Sequence, residues 1–424
     1  MIAAHTLPRL FAGATNRPLS LADHEVVFRP DGHVTDLLAE LGASGLIGRG
    51  GAGFPTARKV ELLRHQRGHK YVVVNGMEGE PAAHKDFRLL STNPHLVLDG
   101  AEMLASMIGA SRIAVCVARD NPTLVNHVEQ AIHERARRNL RGPAIDLHTP
   151  PWRYVAGEES ALVHWLDDNE SLPQYRRQRP SVLRLDRHPV LLDNCETVGH
   201  VGLIARYGAD WFASVGTTDQ PGSTLVSVSG AVPRPTVLEV ALGTPLAQIL
   251  AAAKADPHPR AVLLGGYGGT WLAARDLDVA FDRRSLAERG ATAGAGIVVV
   301  VGHDSCGIRE TQRIAAWMAN ESARQCGPCA FGLPALAHDL ARLLEGGRDA
   351  RDARRRLEQR CGVIEGRGAC RHPDGVVRMV RTALATFADD VAAHESGRPC
   401  AGARDGTAVV AVPRLEHERE LVWE

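Results

Sequence analysis

The run Gly48-Arg49-Gly50-Gly51-Ala52-Gly53-Phe54-Pro55-Thr56 decides how the first half of the chain is read. It contains the letters of a GxGxxG dinucleotide fingerprint, which alone matches many unrelated chains. That fingerprint needs a strand entering the turn and a helix leaving it. Here residues 35–46 carry a helical pattern, and the first convincing strand, residues 70–75, comes only after the run. The ordinary Rossmann reading is therefore set aside. What survives is local physics. Residues without Cβ let backbone N–H groups approach a phosphate or a flat ring, and the helix starting near Thr56 offers its positive end. Lys59 adds a full charge in the same helix. A flexible connector is the alternative, for which glycines packed around one Arg and a Phe-Pro are unusually dense.

Outward from this run, β-branched strands alternate with helical patterns as far as about residue 216: strand 70–75, helix 95–109, strand 112–118 and helix 122–138. The alternation predicts an α/β domain over residues 1–221. From 222 to 303 the pattern changes to short strands (223–229, 297–301), the turn Gly265-Gly266-Tyr267-Gly268-Gly269 and one short helix at 246–253, which predicts a small α+β module. Residues 304–400 are amphipathic and helical at 308–320, 333–344, 353–359 and 376–394, which predicts a helical bundle. Residues 401–424 are a tail of mixed glycine and charge with no assigned role.

At 424 residues the chain exceeds the ~250–300 at which single cores stop growing, consistent with several domains. Lys plus Arg and Asp plus Glu both total 49, and no basic run is long enough to mark a nucleic-acid or lipid surface. The N-terminus lacks a signal-peptide pattern, and no window approaches the ~18 apolar residues of a membrane span, so a cytoplasmic location is expected. Eight cysteines in such a chain argue for metal, redox or core roles rather than a disulfide framework.

Two acidic turns stand out. The strand 71–75 ends in Asn75-Gly76-Met77-Glu78-Gly79-Glu80-Pro81, at the strand edge where α/β sheets bind ligands. Gly157-Glu158-Glu159-Ser160 heads a helix, where carboxylates either accept hydrogen bonds from a ligand or complement the helix dipole. Asp193-Asn194-Cys195-Glu196-Thr197 reads as an N-cap. Late in the chain, Cys326-Gly327-Pro328-Cys329 lies between two helical patterns and Cys370 in a second such segment. A lone CxxC leaves zinc, thiol redox chemistry and an iron–sulfur cluster all open.

Taken together these motifs resemble the NADH-binding flavoprotein subunit of respiratory complex I, with some character of the Rnf-complex C subunit. The resemblance runs from about residue 44 to 381. It implies that Gly48, Arg49, Gly50, Gly51 and Lys59 contact FMN and that Phe54 covers the rings. It further implies that Asn75, Glu78, Gly157, Glu158, Asp193, Asn194 and Thr197 bind cofactor, with Glu80 and Glu159 as catalytic acids. Cys326, Cys329 and Cys370 would hold a [4Fe–4S] cluster, and the middle module would be a β-grasp-like scaffold of the soluble-ligand-binding type. Four departures qualify this. Met77 stands for an Asp, Asp193 for an Asn and Ala323 for the first cluster cysteine, and residues 174–180 lack the Phe that stacks on adenine. A fourth cluster ligand must then come from solvent or another side chain, Cys361 being the nearest thiol in sequence, unless no cluster forms. Cys361 and Cys116 otherwise read as buried apolar residues, while Cys306 and Cys400 have no assignment.

The expected activity is that of an FMN-dependent oxidoreductase. It takes hydride from NADH, with NADPH as a second option through the arginines at 176, 177 and 179, and passes single electrons to an iron–sulfur partner, a ferredoxin or a thioredoxin-like subunit. The alternatives are a flavoprotein subunit of a complex I or hydrogenase-like assembly and an inactive scaffold. A hetero-complex or homo-oligomer is expected, without nucleic acid or membrane insertion.

Overall fold

Val72, Val73 and Val74 lie in the strand Tyr71–Gly76 (β1) and are wholly buried, because both of its faces are covered. Val72 and Val74 pack with Leu96 and Val198, and Val73 packs with Leu162 and Leu192. An unbroken apolar run is the signature of an interior parallel strand. In the computed structural model, which describes residues 7–30, 34–138, 142–174, 182–400, 402 and 408–413, β1 pairs in parallel with Arg112–Val117 (β2) and His188–Asn194 (β5). Ala144–His148 (β3) extends the sheet beyond β2, and Leu183–Leu185 (β4) closes the other edge antiparallel to β5. The order β3-β2-β1-β5-β4 means that the chain leaves β1 on one side and returns on the other.

The helix Leu37–Ala43, the glycine run and the helix Thr56–Arg64 all precede β1, so no strand feeds the run, as its pattern predicts. The helices Pro94–Ile108 and Cys195–Ala213 meet so closely that a Cβ on Gly100 would overlap the carbonyl of Val198.

The second sheet contains Ser223–Gly230 (β6), Thr236–Ala241 (β7), Ala261–Leu264 (β8), Thr270–Ala273 (β9) and Ile297–Val301 (β10), in the order β7-β6-β10-β8-β9. Its first and last strands run parallel at the centre. Two α-helices belong to this segment where the pattern predicted one: Leu246–Ala252 and the six-residue Arg283–Glu288. Alternate residues of β10 serve two cores. Val298 and Val300 face Leu246 and Ile249, while Ile297, Val299 and Val301 pack with Trp317 and Leu336 of the helical segment. The all-apolar composition of β10 follows from that double burial.

The helical segment contains Gly307–Asn320, Leu333–Glu345, Arg348–Ile364, His372–Thr386 and Ala388–Glu395. Two expectations are corrected. The third helix is much longer than 353–359, because its charged surface is laced by short-range ion pairs such as Arg355–Asp352 at 2.5 Å. The pattern 376–394 is two helices, broken at Phe387, whose buried ring packs edge-on against Trp271 at 5.0 Å. The arginines at 176, 177 and 179 and most of the tail 401–424 lie outside the described residues. No helix among the described residues is long and apolar enough to cross a membrane.

Candidate functional site

The carboxyl ends of β1 and β5 meet at Asn75 and Asn194, which are partners in the parallel register. The strand order reverses between these two strands, and open α/β sheets bind ligands at that point. A cleft of about 410 Å³ opens there. Its walls come from all three parts of the chain: Gly50, Gly51, Asn75, Glu78, Glu80, Gly157, Glu158 and Asn194 from the first, Gly265, Gly268 and Gly294 from the second, and Cys370, His372 and Arg378 from the third. The middle segment was expected to be scaffold only. Its glycine turns instead form one wall, because only residues without side chains leave the space open.

The glycine run is a closed loop. Gly48 N–H donates to Phe54 O at 2.9 Å and Thr56 N–H to Leu46 O at 3.0 Å. Arg49 N–H donates to the Thr197 hydroxyl at 2.8 Å, so Thr197 holds the loop rather than facing the cleft. Gly51 has φ +104°, a conformation that glycine adopts freely. Beneath the loop, Lys85 Nζ donates to Arg49 O at 2.8 Å and to Glu196 Oε2 at 2.5 Å. Glu196 also accepts from the Thr224 hydroxyl (2.7 Å) and Leu225 N–H (2.9 Å), tying the loop to β6. Burial raises this carboxyl, but Lys85, His200 and Arg49 outweigh burial and hold it well below the usual carboxylate range.

Lys59 is spent locally. Its ammonium reaches Asp193 Oδ1 at 2.8 Å and Leu192 O at 2.7 Å, and this contact overcomes burial to keep Lys59 charged. Asp193, where the related pattern has Asn, is therefore paired with a cation. Lys59, Asp193, Gly48, Arg49 and Glu159 lie behind the lining. Phe54 stands 39% exposed under Arg58, 5.9 Å from its ring centroid.

Burial raises the pKa of three acids at the cleft, Glu78, Glu80 and Asp86, which favours their neutral forms. Burial pushes Glu80 up to about 7, against the Tyr267 N–H that donates to it at 2.7 Å. Burial, with Glu78 and Glu196 nearby, pushes Asp86 up to about 8 against the pull of Lys85. Asp86 Oδ2 accepts from Asn194 Nδ2 at 2.5 Å, and Oδ1 has no hydrogen-bond partner among the described residues. Glu78, raised by burial, accepts from Asp86 N–H (3.0 Å) and Phe87 N–H (2.8 Å). Glu158 caps its helix, accepting from Ser160 N–H (2.9 Å) and Ala161 N–H (3.0 Å), as a dipole-complementing reading predicts. Neutral carboxyls can donate hydrogen bonds to ring, amide and ribose groups. The orphaned Asp86 oxygen suits a polar ligand of that kind.

Cys326, Cys329 and Cys370 come together. Burial raises Cys329, and the other two thiols raise it further. They are not crowded as around a single ion: among the described residues, the group whose ligand atoms all lie within 4.8 Å is a different one, Cys306, His394 and Cys400. Cys329 sits on the π-turn Pro328–Gly332, a local widening common at functional sites. Glu321 docks this segment onto the acidic side of the cleft, accepting from Arg153 Nη1 (3.0 Å) and Tyr154 N–H (2.9 Å). The fourth-ligand candidate Cys361 is buried in the bundle core, and its charged neighbours are Arg381, Glu365 and Glu358 rather than the thiols.

Sequence reading did not assign Lys85, Asp86 or Glu196 to the site, although Lys85 and Asp86 follow the first acidic turn closely and Glu196 stood inside a quoted motif. It also missed Tyr267, whose only signal was a glycine-rich turn.

Comparison with known proteins agrees with this architecture. The Nuo51 FMN-binding domain matches residues 41–202, and the NADH-ubiquinone oxidoreductase-F iron-sulfur binding region matches residues 309–394. The F 2 subunit of NADH-quinone oxidoreductase from Rhizobium meliloti (strain 1021) is 31% identical over 410 residues, 93% of this chain and 96% of that protein. The HndC subunit of the NADP-reducing hydrogenase of Solidesulfovibrio fructosivorans is 29% identical over 371 residues, 84% of this chain and 75% of that one. A crystal structure of an NAD+-reducing [NiFe]-hydrogenase in the H2-reduced state superposes with a TM-score of 0.79 at 27% identity, covering 93% of this chain and 68% of that chain. The chain belongs to the family of NADH-quinone oxidoreductase F subunits, flavoproteins that oxidise NADH with FMN and pass electrons onward through an iron–sulfur region.

Proposed function

We propose that the cleft between β1 and β5 holds FMN with its phosphate toward the glycine loop, and that the nicotinamide enters from the side of the middle segment and the bundle. The observation that carries this reading is the convergence of a glycine-lined wall and the acids Glu78, Glu80, Asp86 and Glu158 in one cleft at the switch point. Gly50, Gly51, Asn75 and Asn194 offer backbone and amide groups to the flavin. Glu78, Glu80, Asp86 and Glu158 fix ribityl, ribose and amide groups, and Arg378 stands where the dinucleotide phosphates would lie. FMN, when bound, accepts hydride and releases electrons singly; the residues around it orient the rings and exclude water. Lys59, Asp193, Arg49 and Thr197 hold the loop in place. The clustered acids favour this over an inactive scaffold, which has no use for them.

Cys326, Cys329 and Cys370 supply three ligands to the cluster, the position of Ala323 being completed by a non-cysteine group. Above Gly327 and Pro328 the surface carries Phe331 (78% exposed) and Val363 (58% exposed), rimmed by Arg356, Arg360 and Arg367. An apolar centre with a basic rim suits an acidic iron–sulfur partner, a ferredoxin or a thioredoxin-like subunit, within a complex I or hydrogenase-like assembly on the cytoplasmic side. We also read the chain as three domains divided near 221 and 303, the middle one β-grasp-like because its first and last strands pair in parallel beneath a crossing helix.

The test is anaerobic purification of the full chain, a visible spectrum, iron and sulfide assays, and titration with NADH and with NADPH. The expected result is an FMN band bleached by NADH. A protein without flavin, or with flavin that neither nucleotide bleaches, overturns the reading.

A further inference from the structure

Cys306, His394 and Cys400 bring two thiols and an imidazole together where three stretches of chain meet. Cys306 is the N-cap of Gly307–Asn320, the first helix of the bundle, and His394 lies in the last turn of Ala388–Glu395, its final helix. Cys400 follows where the chain turns back over both. All three are buried, and their ligand atoms lie within 4.8 Å of one another. Cys306 Sγ stands 3.5 Å from His394 Nε2. A tetrahedral zinc ion with Zn–S about 2.3 Å and Zn–N about 2.0 Å sets sulfur and nitrogen about 3.5 Å apart.

We propose that Cys306, His394 and Cys400 form a structural zinc site that clasps the residues following the last bundle helix to the start of the first. Two sulfurs and one imidazole nitrogen are three of the four donors that a structural zinc site takes. The carboxylate of Asp390 is close enough to act electrostatically on both Cys306 and His394, but its oxygens are taken by Gly307 N–H (3.0 Å) and Arg260 Nη2 (2.8 Å), so it braces the site without ligating. Among the described residues the fourth vertex is open. Farther along the sequence, Val410 N–H donates to Glu310 at 3.0 Å and Ala411 O accepts from the Tyr267 hydroxyl. The site is separate from Cys326, Cys329 and Cys370 and does not depend on the flavin reading.

The test is elemental analysis of the full-length protein purified anaerobically with zinc in the growth medium, alongside flavin and iron assays. The expected result is about one zinc per chain, lost in C306S and in C400S with flavin content retained, and kept in C326A/C329A, which loses iron instead. Because a cysteine variant could misfold, the wild-type protein is also reloaded with cobalt(II), whose thiolate charge-transfer absorption reports sulfur ligation. Zinc absent from the wild-type protein and not taken up on addition, zinc undiminished in C306S and C400S, or a Cys306–Cys400 disulfide in the anaerobic protein each overturns the proposal.

Discussion

Lys85 and Glu196, 111 positions apart in sequence, form a buried ion pair at 2.5 Å that supports the glycine loop from below, because the same ammonium holds the carbonyl of Arg49. Removing one partner leaves an uncompensated charge in the interior. Glu196→Gln is expected to cost about 3–5 kcal/mol of stability, measured by denaturant unfolding, and to lower flavin occupancy. The carboxyl is depressed in the folded protein, so its stabilising contribution is present above its unfolded pKa of about 4.3 and is lost as pH falls below that. The acid limb of the stability profile should therefore flatten in the variant.

Glu80 titrates in the opposite sense. Burial raises it to about 7, so the folded state favours the neutral carboxyl and this group costs stability as pH rises from its unfolded value toward 7. Flavin reduction by NADH, followed by stopped flow, should show an ionisation near that pH. Glu80→Gln, which keeps the acceptor for Tyr267 N–H, should abolish that ionisation while the protein stays folded.

Two glycines should separate fold from ligand. A Cβ at Gly79 would lie 2.6 Å from Arg153 O and 2.8 Å from Tyr154 Cα, backbone atoms with no room to move. Gly79→Ala should destabilise the protein by about 1–3 kcal/mol. A Cβ at Gly50 meets only Asn194 Cβ at 3.4 Å, so Gly50→Ala should keep the thermal midpoint yet weaken FMN retention on dialysis.

At the cluster, Ala323→Cys offers the missing thiolate beside Cys326 and Cys329. Iron and sulfide per chain should rise, and the visible absorption should bleach more slowly in air than in the unsubstituted protein. Equal iron and equal oxygen lability would mean that position 323 does not face the cluster.

Phe331→Ser and Arg367→Glu alter the exposed patch without touching the cleft. NADH oxidation with ferricyanide, which is small enough to be reduced without a docked protein, should be unchanged. Electron transfer to an acidic ferredoxin should fall by roughly 10-fold, and the charge variant should lose salt dependence.

Local order was legible in the sequence wherever one period dominated. The valines of β1, the helix before Gly48 and the acidic turns each follow from their own spacing, and they suffice to place the ligand at a strand edge. Lys59 reads as free charge in the sequence because its partner Asp193 is remote and joins it only once β5 lies beside the helix Thr56–Arg64. The break at Phe387 was hidden because the amphipathic period continues through it. Cys306, His394 and Cys400 carried no shared signal, since a cluster assembled from three distant stretches has no spacing to read. The role of Tyr267 was invisible for the same reason.

The contacts of Tyr267 also set an order of events during synthesis. Its amide binds Glu80, near the beginning of the chain, and its hydroxyl holds Ala411, near the end. On a ribosome the acid would be made long before the residues that complete its surroundings emerge. The nascent first sheet can form early, but its cleft gains its last wall only after Cys370, His372 and Arg378 have emerged. Stable flavin loading should therefore be a late step, acting as a check that the helical segment has been made and has folded onto the sheet.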